Sequence, residues 1–313
     1  GFLGKVWLAQ ALDQLPDVGR IYVLVRGKKG QSALDRFESM INDSYAFSSL
    51  HDKHGEGLSQ YLASRVEVVA GDISGDGLGI EPAVAKRLRR DLDLVIHCAG
   101  QVDFDPDLRD ALRNNVDGTV HTAAFVRGCD HCAMVQVSTC FVAGNREGRI
   151  EETLRTEITP LDMPFDVEAE YRHLEQEIAR VQEETVGPAA MERMRADLRE
   201  RIASRGKDAD NENLVERVLR RESQAVLLER MVELGTARAQ HWGWPNIYTF
   251  TKAMAEAMLV KKYADVPFTI FRPAITESAV SYPLPGWNEG LNTSGPLIYF
   301  MGTWYRQLPA RDD

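Results

Sequence analysis

The amino-acid sequence predicts an α/β protein with a doubly wound parallel sheet. Short runs of apolar and β-branched residues recur along the chain, and segments long enough for helices separate them. A chain of 313 residues with 44% hydrophobic residues is also large enough to bury such a sheet. Because right-handed crossovers place the carboxyl ends of parallel strands at one edge, we expect a ligand crevice at that edge.

Each element follows from its own pattern of apolar residues. The chain opens with apolar residues at helical spacing, from Val6 to Leu15. Buried parallel strands read as nearly continuous apolar runs, whereas surface helices repeat every 3 to 4 residues. These patterns predict strands at residues 21–25, 66–72, 92–98, 134–138 and 268–271, and helices at residues 81–90, 109–126 and 250–263.

The segment 151–240 differs in composition from the rest of the chain. Leu174, Ile178 and Val181 recur at helical spacing among many Glu and Arg, which predicts a charged helical insertion. Mixed charges at this spacing are typical of a solvated surface, and a lid or a partner surface is the alternative. The predicted domains are a core at residues 1–150 without its first strand, the insertion at 151–240, the core again at 241–280, and the start of a substrate-binding portion at 281–313.

Composition argues against several classes of protein. The formal net charge of −10 argues against a nucleic-acid surface, because phosphate binding needs clustered Lys and Arg. No apolar stretch approaches the roughly 20 residues of a membrane span, and the first residues lack the pattern of a secretory signal. The sequence therefore predicts a cytoplasmic protein without an integral membrane segment. A homodimer and peripheral membrane association are compatible with it, although no motif indicates either.

Cysteine spacing leaves one alternative open. Cys129-Asp130-His131-Cys132 has the spacing of a zinc or redox pair. The sequence contains no second ligand pair of matching spacing, so we expect buried thiols and no metal site.

The first residues fit part of a dinucleotide-binding turn. Such a turn joins a strand to a helix through spaced glycines, so that a pyrophosphate meets backbone N–H groups at the helix terminus. Gly1-Phe2-Leu3-Gly4 fits the last two glycines, and the strand and first glycine that should precede them are absent from the sequence. The next strand ends at Arg26. An Asp or Glu there would bind the ribose hydroxyls of NAD, whereas an Arg suits a 2′-phosphate, so the pattern predicts NADPH.

Two further strand ends are expected along the same crevice. Gly71-Asp72-Ile73 would place Asp72 near the adenine. His97-Cys98-Ala99-Gly100 offers small residues that let a cofactor pass close to the backbone. His97 itself is interpreted as a core histidine, because no carboxylate cluster accompanies it.

Four side chains predict the chemistry. Ser138 and Thr139 end the fourth strand, and Tyr248 and Lys252 share one face of a predicted helix. An ammonium near a phenol favours the phenolate and lowers the pKa of the tyrosine. The strand-end hydroxyl would share a substrate oxygen with the tyrosine, which would supply the proton while NADPH delivers hydride. Tyr-x-x-x-Lys alone is common, but its combination in chain order with the glycine turn, Arg26 and the strand-end hydroxyls is far more specific.

These residues resemble an extended short-chain dehydrogenase/reductase with a Rossmann fold, and more narrowly a fatty acyl-CoA reductase of the male-sterility type. The resemblance spans nearly the whole chain, and Arg-Pro-x-Ile-x-Glu-Ser followed by Pro-Gly-Trp narrows the family. The matching segments are Gly1-Phe2-Leu3-Gly4-Lys5, Val23-Leu24-Val25-Arg26, Gly71-Asp72-Ile73, His97-Cys98-Ala99-Gly100, Asn115-Val116-Asp117-Gly118-Thr119, Val137-Ser138-Thr139, Tyr248-Thr249-Phe250-Thr251-Lys252, Phe271-Arg272-Pro273-Ala274-Ile275-Thr276-Glu277-Ser278 and Pro285-Gly286-Trp287.

The resemblance implies a role for each site residue. Thr139 would be the strand-end hydroxyl, with Ser138 its neighbour and substitute. Tyr248 would donate the proton, and Lys252 would assist it and hold the nicotinamide ribose. Asn115 would lie under the site. The implied cofactor contacts are Gly1, Phe2, Leu3, Gly4, Arg26, Asp72, Ile73, Cys98, Ala99, Gly100, Asn115, Lys252, Pro273, Ala274 and Ile275.

The resemblance also implies a reaction, the NADPH-dependent reduction of a long-chain fatty acyl-CoA to the aldehyde, the alcohol or both. The absent first strand and an ending where such enzymes begin their acyl-binding portion suggest a fragment. One alternative is a reductase domain that acts on acyl chains bound to a carrier protein. Another is a nucleotide-sugar epimerase or dehydratase, which Arg26 disfavours. A non-catalytic NADP-sensing scaffold is disfavoured by Tyr248 with Lys252.

Overall fold

The computed structural model describes residues 1–205, 210–289 and 295–303. Within them, a strand forms in each of the predicted apolar runs, which confirms the α/β class. Two strands, predicted at 66–72 and 92–98, are shorter than predicted, because residues at their ends belong to loops, and the strand predicted at 134–138 begins and ends one residue earlier. The strands are β1 (Ile21–Val25), β2 (Val66–Ala70), β3 (Leu94–His97), β4 (Ala133–Val137) and β5 (Phe268–Phe271).

All strand pairs are parallel, and they form two sheets. β1 pairs with β2, and β4 lies between β3 and β5. β1 and β3 do not pair with each other in the described residues. Parallel pairing brings the carboxyl ends of the strands in each sheet to one edge.

Helices fill the segments between the strands. α2, α3 and α4 lie in the polar segment between β1 and β2, where no helix was predicted. A reciprocal capping box between Ser32 and Asp35 starts α2 and is a signal that periodicity alone does not show. The helices are α1 (Phe2–Gln14), α2 (Ala33–Asp43), α3 (Ser48–His54), α4 (Leu58–Arg65), α5 (Pro82–Asp91), α6 (Leu108–Ala111), α7 (Gly118–Arg127), α8 (Val167–Val186), α9 (Pro188–Ser204), α10 (Glu212–Trp242), α11 (Ile247–Lys262) and α12 (Gly295–Gly302).

The helix predicted at 109–126 contains a π-helical turn. This turn, Leu112–Asp117, joins α6 to α7 and carries Asn115. Such turns are rare and often lie at functional sites. It packs against α11, and both elements share the main core cluster, which includes Leu108, Val116, Leu174, Trp244, Phe250 and Met254.

The helices α8 and α10 join the core at what we call the insertion root: Glu170, Tyr171, Gly235 and Arg238. Glu170 is buried and accepts two hydrogen bonds from Arg238, one of them at 2.9 Å. The Tyr171 hydroxyl donates to Asp117 Oδ1 at 2.7 Å. A Cβ on Gly235 would lie 2.6 Å from Ile247 Cδ1, so α10 closely approaches the first residue of α11. The root therefore fixes the helices that carry Asn115 and Tyr248.

The segment after β5 returns to α1. Tyr282 donates a hydrogen bond to the Ala46 carbonyl at 3.0 Å, and Trp287 stacks on Phe2 with ring centroids 5.3 Å apart. Glu289 accepts hydrogen bonds from Lys5 and from the Ser44 hydroxyl. None of the helices in the described part of the chain combines the length and apolar content of a bilayer span.

Candidate active site

The helix α11 begins one residue before Tyr248. Asn246 caps the helix by accepting a hydrogen bond from the Thr249 N–H at 2.9 Å. Trp244 Nε1 donates to the Val142 carbonyl at 2.8 Å, which ties the start of α11 to the turn that follows Thr139. These two hydrogen bonds hold the start of α11, and with it Tyr248, beside the end of β4.

The hydroxyls of Tyr248 and Thr139 are neighbours, and Thr139 influences the pKa of Tyr248. Thr139 lies two residues after the end of β4 and accepts from the Phe141 N–H at 3.3 Å. Burial raises the pKa of Tyr248, and the Thr139 hydroxyl only partly opposes this effect. The structure therefore differs from the expected lowering of the tyrosine pKa by Lys252, because burial dominates and Lys252 Nζ bonds to the Val137 carbonyl instead.

Lys252 lies one turn beyond Tyr248 and is almost completely buried. Its Nζ donates to the Val137 carbonyl at 3.2 Å, and burial lowers the pKa of Lys252 to about 8. His97 is buried nearby, where burial first and the charge of Lys252 second lower its pKa to about 3. His97 is therefore a neutral core side chain at neutral pH, as the sequence interpretation proposed.

Asn115 connects three elements beneath the site. Its Oδ1 accepts from the Gln101 N–H at 2.8 Å, and its Nδ2 donates to the Gln101 carbonyl at 3.2 Å. The same Nδ2 donates to the Thr251 hydroxyl at 3.0 Å. A Cβ on Gly100 would lie 2.7 Å from Asn115 Oδ1 and 3.2 Å from Lys252 Nζ. Glycine is required there because the loop after β3 passes directly over these two side chains.

Apolar side chains surround this polar centre. The Phe104 carbonyl accepts from the Tyr248 N–H at 3.0 Å, and the Phe104 ring centroid lies 6.5 Å from that of Tyr248. Phe104 is 67% exposed and Val102 is 71% exposed. Phe141 and Ile275, which follow Thr139 and β5, are also exposed. The hydroxyl pair thus lies beside apolar surface that is open to a ligand.

The end of β1 carries the predicted phosphate-binding side chain. Arg26 is exposed, and its Nη1 lies 3.5 Å from Asp72 Oδ2. Asp72 Oδ1 accepts hydrogen bonds from the Ser74 N–H at 3.0 Å and hydroxyl at 2.8 Å. Burial alone would raise the pKa of Asp72, but these bonds and Arg26 hold it below its usual value. Arg26 is thus free to turn towards an anion, whereas Asp72 is held by Ser74.

The start of α1 lies against the end of β3. Gly1 caps α1, and a Cβ on Gly4 would lie 3.1 Å from Cys98 Sγ. Cys98 and Ala99 are exposed at this edge. An uncrowded helix terminus, a glycine over Lys252 and an exposed Arg26 together fit a phosphate-linked dinucleotide that carries a nicotinamide at one end.

Some predicted residues do not bring their side chains to the crevice. Phe2 stacks on Trp287, so that it can contact a cofactor there only through its backbone. Ile73 packs against α7, because a Cβ on Gly118 would lie 2.8 Å from Ile73 Cδ1. Ser138 is buried, and its Oγ has no hydrogen-bond partner in the described residues. Thr139 rather than Ser138 is therefore the hydroxyl that influences Tyr248.

The remaining predicted contacts lie at the open edge. Leu3, Ala274 and Ile275 are exposed. The Pro273 carbonyl accepts from the Cys140 N–H at 3.0 Å, which joins the segment after β5 to the turn after Thr139. The described residues contain no group of three or more His, Cys, Asp and Glu side chains that could hold a metal ion.

Sequence reasoning missed several residues that shape the site. Gln101 and Phe104 act through backbone groups, so that no side-chain pattern reveals them. Thr251 lies inside the Tyr-x-x-x-Lys motif and could have been found there. Glu256, one turn after Lys252, is buried and accepts two hydrogen bonds from Arg272, one of them at 3.0 Å.

The chain matches known proteins over nearly its whole length. The model of an NAD-binding domain described as "Male sterility protein" matches residues 1–310. Fatty acyl-CoA reductase 2, chloroplastic, of Arabidopsis thaliana is 30% identical over 96% of this chain and 44% of the relative. The alcohol-forming fatty acyl-CoA reductase of Simmondsia chinensis is 28% identical over 96% of this chain and 55% of the relative. The chain therefore spans about half the length of these relatives.

A solved structure supports the fold. The terminal R domain from the myxalamid PKS-NRPS biosynthetic pathway superimposes with a TM-score of 0.53 at 20% identity, over 92% of this chain and 49% of that one. At this identity the likeness shows the fold alone. The family match covers nearly the whole chain and confirms the resemblance noted in the sequence. The chain belongs to the fatty acyl-CoA reductase family, in its male sterility protein domain.

Proposed function

We propose that this chain forms the catalytic core of an NADPH-dependent reductase that converts a long-chain fatty acyl-CoA to the fatty aldehyde, the alcohol or both. The neighbouring hydroxyls of Tyr248 and Thr139, with buried Lys252 one turn beyond Tyr248, carry the proposal. Two hydroxyls at this spacing can both donate to one carbonyl oxygen and stabilise the negative charge that develops on it. Family membership supports an acyl thioester as the source of that carbonyl.

Each side chain has a defined task in this reaction. The nicotinamide cofactor, when bound, supplies hydride to the carbonyl carbon. Thr139 holds the oxyanion, and Tyr248 supplies the proton to it. Lys252, whose pKa is about 8, is charged at neutral pH and would assist this proton transfer. The tetrahedral adduct then expels CoA as a thiol and leaves the aldehyde, and a second reduction at the same hydroxyls gives the alcohol.

The preference for NADPH rests on Arg26. Its guanidinium is 59% exposed and has only a 3.5 Å contact with Asp72, so that a 2′-phosphate can compete for it. We expect Arg26→Ala to raise KM for NADPH by about tenfold or more, the scale of one charge-assisted phosphate contact. KM for NADH should stay unchanged. An equal change for both cofactors would contradict the phosphate role.

The long acyl chain is supported by the exposed apolar side chains at the site. Exposed Phe104 contacts Tyr248, and exposed Phe141 and Ile275 follow the ends of the two strands β4 and β5. Exposed apolar residues that cluster beside a polar centre are typical of a ligand-binding surface.

The test follows NADPH absorbance and free thiol release together, with acyl-CoAs of increasing chain length. Oxidation with matching thiol supports thioester reduction, and the ratio of NADPH to thiol separates aldehyde from alcohol. Tyr248→Phe, with its thermal unfolding unchanged, should abolish turnover. If only an acyl-carrier protein consumed NADPH, the carrier-releasing reductase would replace this proposal. If NADPH were consumed with neither substrate, a nucleotide-sugar enzyme or a non-catalytic scaffold would be the better interpretation.

Other expectations stay predictions from the sequence. They are the domain boundaries at residues 150, 240 and 280, the homodimer, the cytoplasmic location and the peripheral association with a membrane.

A further inference from the structure

The turn between α7 and β4 holds two cysteines in a fixed backbone. The Gly128 and Cys129 N–H groups donate to the carbonyls of Phe125 at 3.1 Å and Val126 at 2.9 Å. At the other end of the turn, the Ala133 N–H donates to the Asp93 carbonyl at 3.0 Å. The four-residue segment Cys129-Asp130-His131-Cys132 is therefore anchored at both ends, which limits the movement of its backbone.

The two thiols are free and belong to one apolar cluster. Each donates a hydrogen bond to a backbone carbonyl, Cys129 to that of Phe125 at 3.4 Å and Cys132 to that of Ala133 at 3.3 Å. Cys132 is buried, whereas Cys129 is only half-buried. A reachable first thiol with a sheltered second thiol suits thiol–disulfide exchange, because the first can attack a disulfide from solution and the second resolves the mixed disulfide.

A cation lies beside the reachable thiol. The Arg89 guanidinium lies over the Phe125 ring, 5.2 Å from its centroid, and Arg89 Nε is 3.2 Å from where a Gly128 Cβ would lie. This buried Nε has no hydrogen-bond partner in the described residues. The neighbouring Cys132 thiol and the charge of Arg89 lower the pKa of Cys129, against burial and the charge of Asp130. The neighbouring Cys129 thiol and burial raise the pKa of Cys132.

We propose that Cys129 and Cys132 form a thiol–disulfide exchange site whose oxidant is a low-molecular-weight disulfide. The Cys129 thiolate attacks one sulfur of that disulfide and releases its other half as a thiol. Cys132 then loses its proton and attacks the Cys129 sulfur, which releases the second thiol. Both cysteines are oxidised to one disulfide, and one small disulfide is reduced to two thiols.

This site is independent of the proposed reductase. It lies before the first residue of β4, whereas Ser138 and Thr139 follow its last residue. The four steps between the five residues of β4, at about 3.3 Å each, separate the two ends of the strand by about 13 Å.

The test exposes the intact protein to oxidised glutathione and maps its peptides by tandem mass spectrometry. Cleavage after Arg127 and Arg146 yields one peptide that carries Cys129, Cys132 and Cys140. We expect a bond between Cys129 and Cys132, while exposed Cys140 carries at most glutathione and serves as an internal control. Glutathione held separately on Cys129 and Cys132, or both thiols left free, would overturn the proposal.

Single substitutions separate the two roles. In Cys132→Ser, Cys129 should retain one glutathione that wild type loses. In Cys129→Ser, buried Cys132 should stay free. Arg89→Gln should slow alkylation of Cys129 at neutral pH, whereas Arg90→Gln, an exposed neighbour on the same helix, should not. Equal rates in both arginine variants, or no glutathione on Cys132→Ser, would contradict the assigned roles.

Discussion

The insertion root and the candidate active site both bury polar side chains, but they differ in the hydrogen bonds that these side chains form. At the root, buried Glu170 meets Arg238 through two hydrogen bonds, and Tyr171 bonds to Asp117. At the site, the described residues give no hydrogen-bond partner to His97 Nε2, Gln136 Oε1 or Ser138 Oγ, and all three side chains are buried. Lys252 is also buried and donates one hydrogen bond, to a backbone carbonyl.

This difference separates stability from function. A buried polar atom without a partner costs about 1–3 kcal/mol, whereas a paired one costs little. Natural proteins keep such costs mainly at functional sites. The root therefore stabilises the fold and orients α11. At the site, buried polar groups without partners lower the free energy of unfolding and leave hydrogen-bonding groups available to ligands. Substitutions in the two regions should have opposite consequences.

Lys252→Met gives the largest expected effect. Turnover should fall about a thousandfold, because assistance to proton transfer contributes on the order of 10²–10⁴-fold. The melting temperature should stay unchanged or rise, since the variant no longer buries an ammonium group. NADPH oxidation and thermal unfolding measure the two quantities. A variant that loses turnover only because it unfolds would show that Lys252 belongs with the stabilising residues.

Glu170→Gln should destabilise the protein by about 3 kcal/mol, because the substitution leaves the Arg238 charge without its buried partner. Urea unfolding measures the change. The matched control is Glu216→Gln, since Glu216 pairs with Arg195 on the exposed far side of the insertion, at 2.5 Å. The control should cost about 0.5 kcal/mol or less. Similar losses in both variants would remove the distinction between root and surface.

The pH dependence sharpens the contrast at Lys252. Its pKa is about 8 in the folded protein, below the ordinary 10.5, because of burial. Turnover should therefore fall above pH 8, as the ammonium loses its proton. Stability should rise between about pH 8 and 10.5, because only the unfolded chain still binds that proton there. Lys252→Met should remove the rise in stability, and a wild-type rise that survived the substitution would exclude Lys252 as its cause.

Tyr171→Phe should cost about 1 kcal/mol, the usual contribution of one hydrogen bond. Burial raises the pKa of Asp117, and loss of the Tyr171 hydrogen bond should raise it further. Urea unfolding and an NMR titration of the Asp117 carboxyl measure the two changes. Tyr45→Phe, at an exposed position, is the control and should change neither. An unchanged Asp117 titration in Tyr171→Phe would show that the hydroxyl does not bind that carboxylate in solution.

Ser138→Ala should have the smallest effect, a gain in stability of up to about 1 kcal/mol, because it removes a buried hydroxyl without a partner. Turnover should stay within about twofold of wild type if Thr139 alone serves Tyr248. Thr139→Val is the matched comparison and should lose turnover. A clear loss of turnover in Ser138→Ala would instead give Ser138 the substitute role that the resemblance implied.

The fold was predictable where local pattern decides it. Runs of apolar and β-branched residues predicted the strands, and the four-residue spacing predicted that Tyr248 and Lys252 share a helix face. Both patterns depend only on residues close in sequence. The helices between β1 and β2 were missed, although the Ser32 and Asp35 capping box was a local signal. The root was not predictable: with so many Glu and Arg in one segment, only tertiary packing selects Glu170 and Arg238 as partners. The Phe104 carbonyl beside Tyr248 is likewise invisible to side-chain patterns.

The contacts between α1 and the segment after β5 have a consequence for the order of folding. Lys5 and Glu289 are 284 positions apart, and Trp287 reaches back to Phe2. On the ribosome, α1 can contact Trp287 and Glu289 only after the chain has been synthesised as far as those residues. Closing so long a loop also carries a large entropic cost. This junction should therefore form late, and amide hydrogens in the first turns of α1 should gain protection after those of α11.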